Sequence, residues 1–163
     1  MASWGEFSRS EPEFARLVQA RFDSHKHKML AALRKDRSPR VSGIEATFAD
    51  GQLGLGMMPG SLKALDLRRD RGWRCTARRL SPRCPPVTPR SLDGGIEHRA
   101  ADTKAQFAGA VKDATGQEVP SGPFHVFSVD IEEAVLIRIG DPPDHLVLET
   151  WREGQGLKRV ERR

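Results

Sequence analysis

The chain has 163 residues, enough for one domain with a real core, and no apolar run approaches the length of a membrane span. It is 37% hydrophobic and 30% charged, and its two cysteines, Cys75 and Cys84, are too few for a disulfide framework or a zinc site. The net charge of +5 suggests a nucleic-acid partner until it is located: Arg71, Arg74, Arg78, Arg79, Arg83 and Arg90 crowd one stretch without an acid, and the remainder is close to neutral.

Met1-Ala2-Ser3-Trp4-Gly5-Glu6 has neither the basic nor the apolar region of a secretory signal, so a cytoplasmic protein is expected. Glu11 to Phe22 reads as an amphipathic helix, with Ser10 as cap, Pro12 in the first turn, and Phe14, Leu17 and Val18 on one face. Lys26 to Leu33 and Arg40 to Phe48 read as strands joined by a turn at Lys35–Pro39. Asp50-Gly51 is a two-residue hairpin signal leading into a third strand with Leu53, Leu55 and Met57 alternating. These three strands make an antiparallel meander of the kind that closes into small barrels.

Pro59-Gly60 then turns the chain, and Ser61 is placed to cap a helix whose Leu62, Leu65 and Leu67 face inward. A helix start with a serine hydroxyl, free N–H groups and Lys63 two residues on is a ready phosphate site. The same pattern also describes an ordinary capped helix with a solvated lysine. Residues 71–92, rich in Arg and Pro, keep no helical or strand period and read as an exposed, disordered loop. Thr103 to Ala114 is a further helix, capped by Asp102 and ended by Gly116. Phe124 to Ile139 is the longest strand signal, broken near Asp130–Glu133. His145 to Trp151 is a last core strand, followed by a short basic tail. The expected fold is α+β, mainly β, in one domain over 1–163: six to seven antiparallel strands with two to three flanking helices.

The order of these pieces resembles the pyridoxamine 5′-phosphate oxidase-like superfamily, the flavin-binding split β-barrels. The pieces are the N-terminal helix with Glu13-Phe14-Ala15, the hairpin Leu33–Ser42, the run Leu55–Asp70, and Pro123-Phe124-His125-Val126-Phe127 through Trp151 to the tail. The resemblance implies a homodimer that holds FMN, or the deazaflavin F420, at the subunit interface and moves a hydride or electrons to or from a small-molecule substrate. It implies that Arg40, Val41 and Ser42 lie on the strand that contacts the flavin. Met57, Met58 and Pro59 would run along the ring, and Ser61, Leu62 and Lys63 would hold the phosphate. It names no catalytic acid–base pair, and His125 and His145 read as structural histidines. Trp151 reads as core.

The chain departs from the family pattern in three places. Arg37 stands where the first hairpin has glycine, Gly54 where a large residue is expected, and 71–92 where a central strand should follow Asp70. One base inserted after the Asp70 codon lets the next codons read Asp-Pro-Arg-Val-Ala-Leu-His-Ser-Ala-Ser-Pro, an alternating strand, so a shifted reading frame is the second account of that segment. A cofactor-free dimeric barrel is a competing function. Nucleic-acid binding through the arginines is a weaker one, because only Trp73 interleaves them.

Overall fold

The chain folds from its second residue in this computed structural model, which describes residues 2–70, 72–77, 87–91 (backbone alone), 96–119 and 122–163. Helix α1 (Trp4–Ser10) opens with a capping box: Ser3 Oγ accepts from the Glu6 N–H, and the Glu6 carboxylate accepts from the Ser3 N–H at 2.7 Å. Sequence reading missed this helix because it is only seven residues long. Helix α2 (Pro12–Asp23) carries Pro12 in its first turn, as expected. Its cap differs from the expectation. Ser10 Oγ donates back to Phe7 O at 2.9 Å, closing α1, and Glu11 is the N-cap. Phe14, Ala15, Val18 and Phe22 are buried and Leu17 is exposed, because the apolar stripe continues to Phe22 on the next turn.

Strands β1 (His27–Leu33), β2 (Pro39–Ala49) and β3 (Gln52–Met57) form the expected antiparallel meander. Asp50 and Gly51 both take positive φ, 49° and 71°, as a type I′ hairpin turn requires. At the first hairpin Arg37 sits at φ 65°, a left-handed position where a Cβ costs energy. Arg37→Gly is therefore expected to stabilise the fold by about 0.5–1 kcal/mol, read as a rise in Tm.

Helix α3 (Leu62–Arg69) buries Ala64, Asp66 and Leu67, and leaves Leu62 and Leu65 exposed. This overturns the expected inward face at Leu62 and Leu65 and keeps it at Leu67. Asp66 is drawn under the helix by two arginines, and that fixes the rotation. Residues 73–77, read from sequence as loop, are strand β4 (Trp73–Ala77), paired with β1. Trp73, Cys75 and Ala77 point inward and Arg74 outward, a period of two that the surrounding arginines obscured. Strand β5 (Val87–Ser91) follows, between β4 and a later strand. Residues 71, 78–86 and 92, with Cys84, lie outside the described residues, and the shifted-frame account remains a proposal for the gene's bases to test.

After β6 (Ile96–His98) comes helix α4 (Ala101–Thr115), whose N-cap is Ala100 rather than Asp102 and whose C-cap is Gly116 at φ 68°. The long strand signal divides where expected, into β7 (His125–Ser128) and β8 (Glu133–Ile139). Strands β9 (Leu146–Arg152) and β10 (Gly156–Arg162) complete the chain. The tail is thus a strand, antiparallel to β9. The sheet runs β10-β9-β8-β5-β4-β1-β2-β3-β7-β6. The fold class is the expected one, α+β and mainly β, but the described residues hold ten strands and four helices, more than the six to seven and two to three expected. Gly54 has a packing reason. The Phe107 ring of α4 lies over Gly54 and Gly56, and a Cβ at Gly54 would meet it at 2.6 Å. Trp151 is buried in an aromatic cluster with Phe7, at 4.7 Å between rings.

Candidate functional site

The seam between β2 and α3 gathers an aspartate, two arginines and a lysine. Two contacts lay the helix along the strand. Lys63 Nζ donates to Gly43 O at 2.6 Å, and one turn later Arg40 Nε donates to Asp66 Oδ2. Arg69 Nη2 donates to Asp66 Oδ1 and to Leu33 O, both at 2.7 Å, which ties in the end of β1. Burial opposes ionisation of Asp66, but the hydrogen bonds from Arg69 and Arg40 outweigh it and hold the carboxyl below its ordinary range. Beside this hub is a cavity of about 600 Å³, lined by Arg34, Lys35, Arg40 and Arg69, with Leu62 and Leu65 presenting apolar surface.

The N-terminus of α3 faces the same seam. Ser61 has extended backbone (φ −60°, ψ 120°), and its hydroxyl makes no cap hydrogen bond. The first turn holds no acid, so the partial positive charge of the helix start is uncompensated there. Burial pushes the Lys63 ammonium below its ordinary pKa, and Glu45 partly restores it. Ser42 Oγ is buried and has no partner. A phosphate at this place would meet donors and cations with spare capacity, and the residues present suit a dianion.

The sequence-derived site residues separate into two groups. Arg40, Ser61, Leu62 and Lys63 come together along the seam, with Ser42 on the same strand face as Arg40. Val41 is on the opposite face and 64% exposed. Met57 turns into the core across the ladder from His125, while Met58 and Pro59 are exposed on the loop before α3. Sequence reading missed Asp66, because an acid between Leu65 and Leu67 looks like helix surface until β2 is laid beside it. It also missed a cluster built by Arg68, Glu97 and His125. Arg68 donates to both Glu97 oxygens at 2.7 and 2.5 Å, and His125 Nδ1 lies 2.9 Å from Glu97 Oε1. The Arg68 hydrogen bonds, against burial and with help from His125, bring the Glu97 carboxyl down to about 2. This makes His125 a satisfied histidine, as its sequence context suggested. Among the described residues no group of His, Cys, Asp and Glu assembles that could hold a metal ion.

Solved structures share this architecture. ChuZ of Campylobacter jejuni matches over 91% of this chain with a TM-score of 0.74 at 10% identity, and this chain spans 63% of ChuZ. A pyridoxamine 5′-phosphate oxidase candidate from Listeria innocua matches over 74% of this chain and 95% of its own, with a TM-score of 0.60 at 15% identity. The chain shares the fold of these solved structures, the fold the order of its motifs led one to expect. PhzG of Burkholderia lata, crystallised with tetrahydrophenazine-1-carboxylic acid, has a similar fold at a TM-score of 0.61 and 13% identity, over 97% of this chain and 92% of that one. No family model and no curated protein matches the sequence. The likeness to these structures is therefore one of backbone architecture. No described helix is long and apolar enough to cross a membrane.

Proposed function

We propose that the chain is a flavin-binding oxidoreductase that holds FMN along the β2–α3 seam and acts on a small molecule. The observation that carries this reading is the pairing of an uncapped Ser61 hydroxyl with a Lys63 ammonium pinned to Gly43 O, beside a cavity lined by three arginines, a lysine and two aspartates. Ser61 Oγ and the N–H groups of Leu62 and Lys63 would donate to the phosphate, and Lys63 would supply a point charge. Arg40 would meet the flavin from β2, its guanidinium oriented by Asp66. Ser42 would use its free hydroxyl, and the backbone of Met57 to Pro59 would border the ring. When bound, the flavin supplies hydride or electron transfer.

The outward face of β1 and β2, opposite the face that carries Arg40 and Ser42, supports a homodimer. Met29, Ala31 and Val41 are exposed there, and Gly43 has open space above it. Such an exposed apolar group on a sheet face fits a second copy of the chain. The expected result of an FMN titration is saturable quenching of flavin fluorescence. Lys63→Ala should weaken binding by about 10–100-fold, the worth of one charged hydrogen bond. Running F420 in parallel tests the deazaflavin alternative. No quenching by a folded dimer would favour the cofactor-free barrel.

A further inference from the structure

Along β1, burial and polarity are inverted at one point. The strand buries every second residue, and the inward position 28 is a lysine while the outward position 29 is a methionine. Lys28 is 3% exposed and stands between Ile44 of β2 and Ala77 of β4. Its Nζ donates to His25 O and to Lys26 O, the latter at 3.1 Å. Two acceptors satisfy the two N–H groups of a neutral amine and leave its lone pair free. An ammonium would have a third proton with no acceptor among these contacts. Burial favours the neutral form, against Asp23, Cys75 and Glu45.

Lys28 also lines a cleft of about 470 Å³ between the end of α2, β2 and the end of α4, of a size that takes a small molecule. Gln19, Thr47 and Gln117 offer groups for hydroxyl recognition, and Phe48 and Ala114 offer apolar wall. The cleft shares no lining residue with the cavity beside Arg40. We propose that Lys28 is a covalent attachment site for a small hydroxylated aldehyde, bound in this cleft as an imine.

The step balances without a co-reactant. The Lys28 lone pair attacks the aldehyde carbon, a C–N bond forms, and one proton moves from that nitrogen to the carbonyl oxygen to give the carbinolamine. The hydroxyl then leaves as water with a proton that Asp23, exposed at the edge of the cleft, relays from solvent. The nitrogen proton returns to Asp23, and aldehyde plus amine have become imine plus water. The carbonyls of His25 and Lys26, released by the imine, lie at a turn that water reaches. The titratable groups facing the amine are Asp23 from α2, His25 and Lys26 from the turn, Glu45 from β2 and the buried, neutral Cys75 thiol from β4. At the cleft α4 presents only the neutral Ala114 and Thr115, followed by Gln117.

The test treats the full chain with glyceraldehyde and cyanoborohydride at neutral pH and maps adducts by peptide mass spectrometry. Lys28 should label several-fold faster than Lys35, Lys104 and Lys158, because its amine is held by two carbonyl acceptors beside the cleft and burial favours its neutral form. In the urea-unfolded chain that preference should vanish. Asp23→Asn should slow Lys28 labelling several-fold and leave the surface lysines unchanged. Native labelling of Lys28 no faster than of the surface lysines would overturn the site, and an unchanged rate in Asp23→Asn would overturn the proton donor.

Discussion

Asp66→Asn is expected to destabilise the protein by about 2–3 kcal/mol and to loosen the seam on which the proposed cofactor site stands. Breaking a fully buried ion pair costs about 3–5 kcal/mol. The discount applies because both partner guanidiniums reach solvent, at 22% exposure for Arg40 and 38% for Arg69, while Asp66 itself is at 5%. The asparagine keeps one acceptor and cannot balance two cations. The pH dependence follows from the direction of the shift. The Asp66 carboxyl is held below its ordinary 3.8, so its contribution is present above that value and lost as pH falls through the lower folded-state value. Thermal melts should show the wild type losing its margin over Asp66→Asn as the solution is acidified. A constant margin down to the acid limb would mean that the carboxylate charge is not what holds β2 to α3.

Phe7→Ala should cost more, about 3–5 kcal/mol. The ring is fully buried and packs at 5.3 Å from Trp4, 5.9 Å from Phe14 and 4.7 Å from Trp151. It joins α1, α2 and β9 at one point, so its loss opens a cavity with walls from three elements. Folded domains hold only about 5–15 kcal/mol in total, which makes this variant marginal at physiological temperature. Denaturant unfolding should show a lower midpoint with little change in slope. A loss below about 1 kcal/mol would mean that the N-terminal helix contributes little to the core.

How much of this was legible depends on where the physical signal lies. The meander β1–β3, the Asp50-Gly51 turn, the start of α3 and the break at Asp130–Glu133 each follow from period and turn chemistry within a few residues, and the fold agrees with them. Strand β4 carries the same period, but it lies in an arginine-rich stretch where composition outweighs alternation. Strand β10 has Leu157 and Val160 exposed and charged groups on both faces, so its strand character comes from pairing with β9 and leaves little hydrophobic trace. Ser61 and Lys63 were readable as a phosphate site because a helix start is local. Asp66 was not, since its partners Arg40 and Arg69 meet only when β2 and α3 lie side by side. Lys28 shows the same limit. Its position in an alternating strand is visible in the sequence, but its two carbonyl acceptors and its cleft are tertiary.

The central claim is that the β2–α3 seam recognises a flavin by its phosphate. The direct measurement compares FMN with riboflavin, which has the same ring without the phosphate, by fluorescence quenching of wild type and Lys63→Ala. The account predicts that wild type binds FMN about 100-fold more tightly than riboflavin, and that Lys63→Ala removes most of that difference while leaving the riboflavin affinity in place. Equal affinity for the two flavins in wild type, or an undiminished preference for FMN in Lys63→Ala, would contradict it.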